Sequence, residues 1–110
     1  MEKITIEDFK KIEMKIGEIL EASKMEGSEK LLILKVDFNE EVPRQILSGI
    51  SQYFENPDDL VGRQVVFVTN LAPREMMGKT SDGMILATSG DFGLALLCPS
   101  IKVPNGVVLK

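Results

Sequence analysis

Apolar and polar residues alternate most cleanly over residues 31–38, where Leu32, Leu34, Val36 and Phe38 fall on one side of an extended chain. That period of two predicts a strand with one buried face. Residues 44–50, after Pro43, read as another strand. Residues 65–69 are apolar and β-branched, which predicts a strand buried on both faces. Residues 84–88 and 92–97 read as two more, joined by Ser89-Gly90-Asp91. The stretches 25–29 and 71–83 read as loops, and 51–60, with Asn56-Pro57-Asp58-Asp59, as a short helical or irregular connection. At the start, Thr5 can cap a short helix over about residues 5–11, with Asp8 at the third helical position reaching back. Ile6 and Phe9 would then face inward. Residues 12–20 fit two patterns. Phe9, Ile12, Ile16 and Ile19 make a helical stripe. Ile12, Met14 and Ile16 make a strand face, with Gly17 allowing a bulge before Glu18-Ile19-Leu20. Several short strands at this spacing, with one short helix, predict a small β-barrel.

Length limits this to one domain: 110 residues split in two would leave neither half a dependable core. With 44% hydrophobic and 27% charged residues, the chain is expected to fold rather than stay disordered. It has no His, which excludes any mechanism that needs an imidazole as base, ligand or triad member. One cysteine, Cys98, allows no internal disulfide and no Cys-rich zinc site. Aromatics at 5% and no Trp argue against an aromatic cage or a multi-base stacking platform.

The net charge of -4 is unevenly spread. Residues 1–41 hold 11 acidic and 7 basic residues, whereas 42–110 hold 6 of each. Within 63–81, Arg63, Arg74 and Lys79 face Glu75 alone. No bulk basic field would sweep up nucleic acid, but a local basic stretch exists. The N-terminal residues are mixed in charge with no apolar stretch, and the apolar runs 31–34 and 65–68 are far too short to cross a bilayer. With a single thiol, this points to a cytoplasmic protein with no membrane partner.

Catalytic and metal motifs are poorly represented. Glu40-Glu41 and Asp58-Asp59 are adjacent carboxylates of the kind that usually sit solvated in turns. Gly78 and Gly83 have phosphate-loop spacing, but Met84 and Ile85 stand where Lys and Ser/Thr are required. Ser48 and Ser81 have no His to activate them, which leaves a Ser–Lys pair as the open arrangement. Cys98, beside Leu96, Leu97 and Pro99, reads as a small core residue. No cofactor, metal or small-molecule substrate is expected. Residues 70–84 differ: two cations, an amide, hydroxyls and three Met lie on a loop read as exposed. Cations and hydroxyls suit phosphate and ribose oxygens, and Met offers a polarisable surface to a base. The alternative is a solvated loop with Met84 in the core.

Residues 5–110 also resemble a known family. The opening Ile6-Glu7-Asp8-Phe9-Lys10-Lys11-Ile12-Glu13-Met14-Lys15-Ile16-Gly17 is similar to the first helix and long first strand of the stand-alone tRNA-binding domain family. That family also occurs fused at the C-terminus of many bacterial methionyl-tRNA synthetases. Residues 28–37, 44–50 and 60–66 resemble its next three strands. Asn70-Leu71-Ala72-Pro73-Arg74 and Gly78-x-x-Ser81-x-Gly83-Met84 resemble its most specific signature. The resemblance implies an all-β oligonucleotide-binding (OB) fold, a five-stranded Greek-key barrel with a short N-terminal helix and a C-terminal extension. It places residues 12–20 in a strand, with Gly17 at the bend. It implies non-catalytic binding of tRNA by shape, with Lys30, Arg44, Asn70, Arg74, Lys79, Ser81 and Met84 as contacts or groove lining. It further implies a homodimer joined through terminal segments. Residues 101–110, with five large aliphatics, would belong to that interface. A methionyl-tRNA synthetase catalytic subunit is a further candidate partner. One branch of the family is described as a protein-binding export chaperone, and that is the alternative function.

Two departures stand out. Met25-Glu26-Gly27-Ser28-Glu29-Lys30 replaces the family's His-Pro and Ala-Asp-Lys, and Glu13 and Lys15 stand where Asp and Arg are common. Lys keeps the charge but not the two-pronged contact of Arg. With the acidic net charge, this favours weak, geometry-dependent binding.

Overall fold

In the computed structural model, which describes residues 1–110, the chain opens with α1, Ile6–Phe9. Thr5 caps this single turn: its hydroxyl accepts the Asp8 N–H at 3.2 Å. The Asp8 carboxylate pairs with Lys11 at 3.4 Å. Then come β1 (Met14–Lys24), β2 (Leu32–Asp37) and β3 (Arg44–Ser48). Two short 3-10 turns, Ser51–Tyr53 and Pro57–Leu60, lead to β4 (Gln64–Val68). A hairpin of β5 (Arg74–Met76) and β6 (Lys79–Ser81) precedes β7 (Met84–Ile85). A second hairpin, β8 (Ala87–Gly90) and β9 (Gly93–Leu96), follows. No helix is long and apolar enough to cross a membrane.

Five strands form one antiparallel sheet in the order β3-β2-β1-β4-β7. Its ends curl toward each other. The Asp82 N–H donates to the Gln45 carbonyl at 2.8 Å, and the Leu47 N–H to the Ser81 hydroxyl at 2.9 Å. The barrel is thereby nearly closed, with the Greek-key order of an OB-like fold. Leu32, Leu34, Val36 and Phe38 all point inward, as their alternation requires. β4 is buried on both faces, and Phe67 meets Phe38 edge to face at 5.3 Å in the centre.

The 12–20 ambiguity resolves as strand. β1 is the only strand hydrogen-bonded to both β2 and β4, so a helix here would leave two ladders without a partner. Its register shifts between Ile19 and Glu21, three residues later than Gly17. Gly17 serves close packing instead. A Cβ there would stand 2.5 Å from both Phe38 Cε1 and Val36 Cγ1, which are themselves buried. Gly17→Ala should therefore cost about 1–3 kcal/mol through overpacking. A thermal melt indistinguishable from the unmutated protein would contradict this.

Several expectations are corrected. The helix is four residues long, not seven, and Ile6 and Phe9 lie on its exposed side because nothing in the chain packs over a single surface turn. Residues 71–83 are not one loop; they contain the β5–β6 hairpin. Its two turn residues, Met77 and Gly78, have φ of 51° and 83°, and two positive φ values give the turn whose twist matches a hairpin. The strand expected at 84–88 breaks at Leu86, and the next hairpin turns at Asp91-Phe92, with Gly90 opposite Gly93. Cys98 is exposed: the Leu97 backbone is still held to β4 by the Val66 N–H at 2.8 Å, but its side chain is 44% exposed and Cys98 follows in the irregular stretch beyond it.

The C-terminal tail runs back along β1. Ile16 N–H donates to Val107 O at 3.0 Å, Gly106 N–H to Ile16 O at 2.7 Å and Leu109 N–H to Met14 O at 2.9 Å. The Gln64 side chain holds the Val103 backbone from both sides, at 2.6 and 3.2 Å.

Candidate nucleic-acid interface

β3 is the rail on which the site is built. Ile46 points inward and fixes it in the core, Leu47 is buried on the opposite face beneath the hairpin, and the strand's polar groups catch the segment that follows β4. Gln45 Nε2 donates to the Thr80 carbonyl at 3.0 Å, and Gln45 Oε1 accepts from Lys35 Nζ at 3.0 Å. Ser81 is buried. Its hydroxyl accepts from Leu47 N–H and donates to the Gly83 carbonyl at 3.3 Å. The β5–β6 hairpin thus lies along β3, with its tip reaching the Met25–Leu31 turn: Met77 Cε lies 3.7 Å from where a Cβ on Gly27 would stand.

Register decides which hairpin side chains share a face. Arg74 is opposite Ser81 and Met76 opposite Lys79, so these four point to one side, while Glu75 and Thr80 point to the other. The one acid in the hairpin is therefore turned away from its two cations. Arg74 and Lys79 are exposed and make no ion pair. Arg74, Met76, Ser81 and Met84, with Leu47 and Leu71, line a pocket of about 60 Å³. Met84 is 45% exposed, so it is surface and not core. Lys30 is exposed on the turn beside the hairpin tip. Its backbone is fixed by Ser28 Oγ at 3.2 Å and by Ser51 N–H at 3.0 Å.

Arg44 and Asn70 sit elsewhere. The Arg44 guanidinium grips Glu40 with two bonds, at 2.9 and 2.8 Å, donates to the Thr69 carbonyl at 2.7 Å and stacks 5.4 Å over the Phe38 ring. Asn70 accepts the Glu13 N–H at 2.8 Å and donates to the Lys11 carbonyl at 2.7 Å. Arg74, Lys79, Ser81 and Met84 thus form one cluster with Lys30 beside it, whereas Arg44 and Asn70 are committed to internal bonds. Lys35 was missed by motif reading. Its signal was present, since inward Leu34 and Val36 force it onto the outer face of β2, next to β3.

The Arg44 guanidinium holds the Glu40 carboxyl below its ordinary value of 4.5, and Glu40 raises Arg44 in return. Glu13 is also held low, chiefly by the hydrogen bond from the Thr69 hydroxyl at 2.7 Å. A depressed folded value means that the stabilisation is present above about pH 4.5 and is lost as pH falls through the lower folded value. The melting temperature should drop below that pH, and Glu40→Gln should flatten the drop. Parallel curves for the two proteins would contradict the pairing.

Comparison with known proteins decides the family. The family described as "Putative tRNA binding domain" matches residues 14–107, which is most of the chain. This chain belongs to the tRNA-binding domain family. Methionine--tRNA ligase of Streptococcus pneumoniae serotype 4 is 48% identical over 109 residues, or 98% of this chain but 16% of that enzyme. The chain therefore spans about a sixth of the curated relatives it matches. Among solved structures, a methionyl-tRNA synthetase related protein from Pyrococcus horikoshii superposes with a TM-score of 0.89 at 34% identity, covering 100% of both chains. The chaperone CsaA of Bacillus anthracis superposes at 0.86 with 28% identity, over 99% of this chain and 100% of that one. For a tRNA-binding domain, two unpaired cations on one hairpin face beside a small, partly apolar pocket are chemically apt: cations suit phosphates and an apolar surface an unstacked base.

Proposed function

We propose that this protein binds tRNA by shape, without catalysis of its own, across the face formed by β2, β3 and the β5–β6 hairpin. The observation that carries this reading is the shared face of Arg74 and Lys79 on the β5–β6 hairpin, both free of ion pairs, beside the pocket at Met84 and with Glu75 turned away. The cations meet phosphates, and Met84 rests against an exposed base. Ser81, with its hydroxyl engaged inside, sets the position of the hairpin rather than reaching the RNA. The protein acts in the cytoplasm, where tRNA resides, as a stand-alone β-subunit-like appendage of methionyl-tRNA synthetase or as a free tRNA chaperone.

It acts as a homodimer. Ile6, Phe9 and Ile12 of the N-terminal segment and Val108 of the tail are exposed around one groove of about 560 Å³. A second copy covers this face and joins two half-footprints into one surface. Light scattering at micromolar concentration should give twice the monomer mass.

Gel shift against bulk tRNA, duplex DNA and an unfolded protein tests the reading. Salt-sensitive binding of tRNA alone supports it, with log affinity falling against log salt at a slope of about -2 to -4 for three or four neutralised phosphates. The likeness to CsaA favours one other reading, a protein chaperone. Suppressed aggregation of an unfolded client, unaffected by tRNA, would select it. Met84→Ala should weaken tRNA binding, leave the slope unchanged and shift stability by no more than about 0.5 kcal/mol, since the side chain is half exposed. Lost stability with unchanged affinity would place Met84 among structural residues.

A further inference from the structure

The segment carrying Arg74 and Lys79 begins after Thr69 and ends before Asp82, and one side chain touches both of those residues. Arg44 donates to the Thr69 carbonyl at 2.7 Å and lies 3.9 Å from the Asp82 carboxylate. Its side chain is only 17% exposed, its Nε and Nη2 are held by Glu40, and its cationic face lies over Phe38. A guanidinium so engaged is poorly placed to meet a phosphate. Resting on the tRNA-binding reading above, we propose that Arg44 is a positioning residue: with Glu40 it clamps both ends of the 70–81 segment against β3, so that the cations of the hairpin are held in place before RNA arrives.

The residue types fit this role. A planar guanidinium can grip a carboxylate with two parallel bonds and still reach a carbonyl, which the point charge of Lys cannot do. β3 continues the clamp through Gln45 to Thr80 and Leu47 to Ser81, so the return strand is fixed at three successive places. Glu40, four residues before Arg44, lies in the turn between β2 and β3 and holds the guanidinium from outside. A hairpin already ordered saves the cost of ordering it on binding.

The clamp and a direct phosphate contact predict opposite signs at Glu40. If Arg44 met phosphate, Glu40→Ala would remove a negative charge, free the guanidinium and tighten tRNA binding. For a clamp, Glu40→Ala weakens binding about tenfold through a looser hairpin. Arg44→Lys keeps the charge and should likewise weaken binding, and it should flatten the salt slope by up to about one unit as Lys79 loses its phosphate, whereas a direct Arg44–phosphate contact would leave the slope unchanged. The second readout is a double-mutant cycle. With the clamp intact, Lys79→Ala has its full effect. In the Arg44→Lys background its effect should shrink at least threefold, because the hairpin no longer holds Lys79 in register. All titrations are made on the full chain below the melting temperature of each variant. A general loss of folding would not produce that coupling. Tighter or unchanged binding by Glu40→Ala, or additive effects of Arg44→Lys and Lys79→Ala, would overturn the proposal. Failure of the tRNA reading itself shows separately, as no salt-dependent binding by the unmutated protein.

Discussion

Replacing Arg74 and Lys79 together by glutamate should abolish tRNA binding and leave the fold intact. Both side chains are exposed and neither has an internal ion pair, so the barrel loses nothing it depends on. Both point to the pocket side of the hairpin, so each reversal places a carboxylate where a phosphate is expected. Like charge at an interface costs several kcal/mol, and two reversals should lower affinity on the order of 100-fold or more at moderate salt. Lys79→Ala alone should flatten the salt slope by about one unit. Retained affinity in the double reversal, with an unchanged circular-dichroism spectrum, would move the binding face elsewhere on the molecule.

Deleting residues 101–110 should have the largest effect on stability. Three backbone hydrogen bonds between the tail and β1 disappear, as do both bonds between Gln64 and Val103. Asn105 matters more than its size suggests. Its amide donates to Glu18 and Asp37, at 3.1 Å each, and these two carboxylates face each other across the β1–β2 ladder. Without that donor, like charges stand directly opposite one another, which a ladder tolerates poorly. At about 1 kcal/mol per hydrogen bond, the sum approaches the whole stability of a domain of this size. The truncated chain should show no cooperative melt near the temperature of the full protein. The apolar terminal face would lose Val108 as well, so any folded remainder should run as monomer. A truncated protein with the original melting temperature and dimer mass would contradict both statements.

The parts legible in the sequence were those set by local pattern. The alternation at Leu32–Phe38 and the β-branched run of β4 locate the core, and Thr5 marks the helix start. Residues 12–20 were not legible from pattern, because Ile12 and Ile16 belong both to a helical stripe with Phe9 and Ile19 and to a strand face with Met14. Only the need of β2 and β4 for a shared partner separates them. The β5–β6 hairpin was missed because Met77 adopts a positive φ without the Asn or Asp that advertises such a turn. Ile6 and Phe9 read as inward-facing, whereas a single surface turn leaves both exposed. Motif reading found the right residue types for phosphate recognition, yet not which cations are free. Arg44 and Arg74 look alike in sequence. One is held by Glu40, Thr69 and Phe38, and the other stands in solvent.

The most direct test of tRNA binding at the hairpin face is an amide chemical-shift map of the full chain titrated with tRNA. Shifts should concentrate in residues 26–30, 44–48 and 71–84, and should fade together as salt is raised. Shifts confined to the crevice lined by Arg63, Cys98 and Lys102 on another part of the surface, or a spectrum unmoved by tRNA, would contradict the assignment of this face.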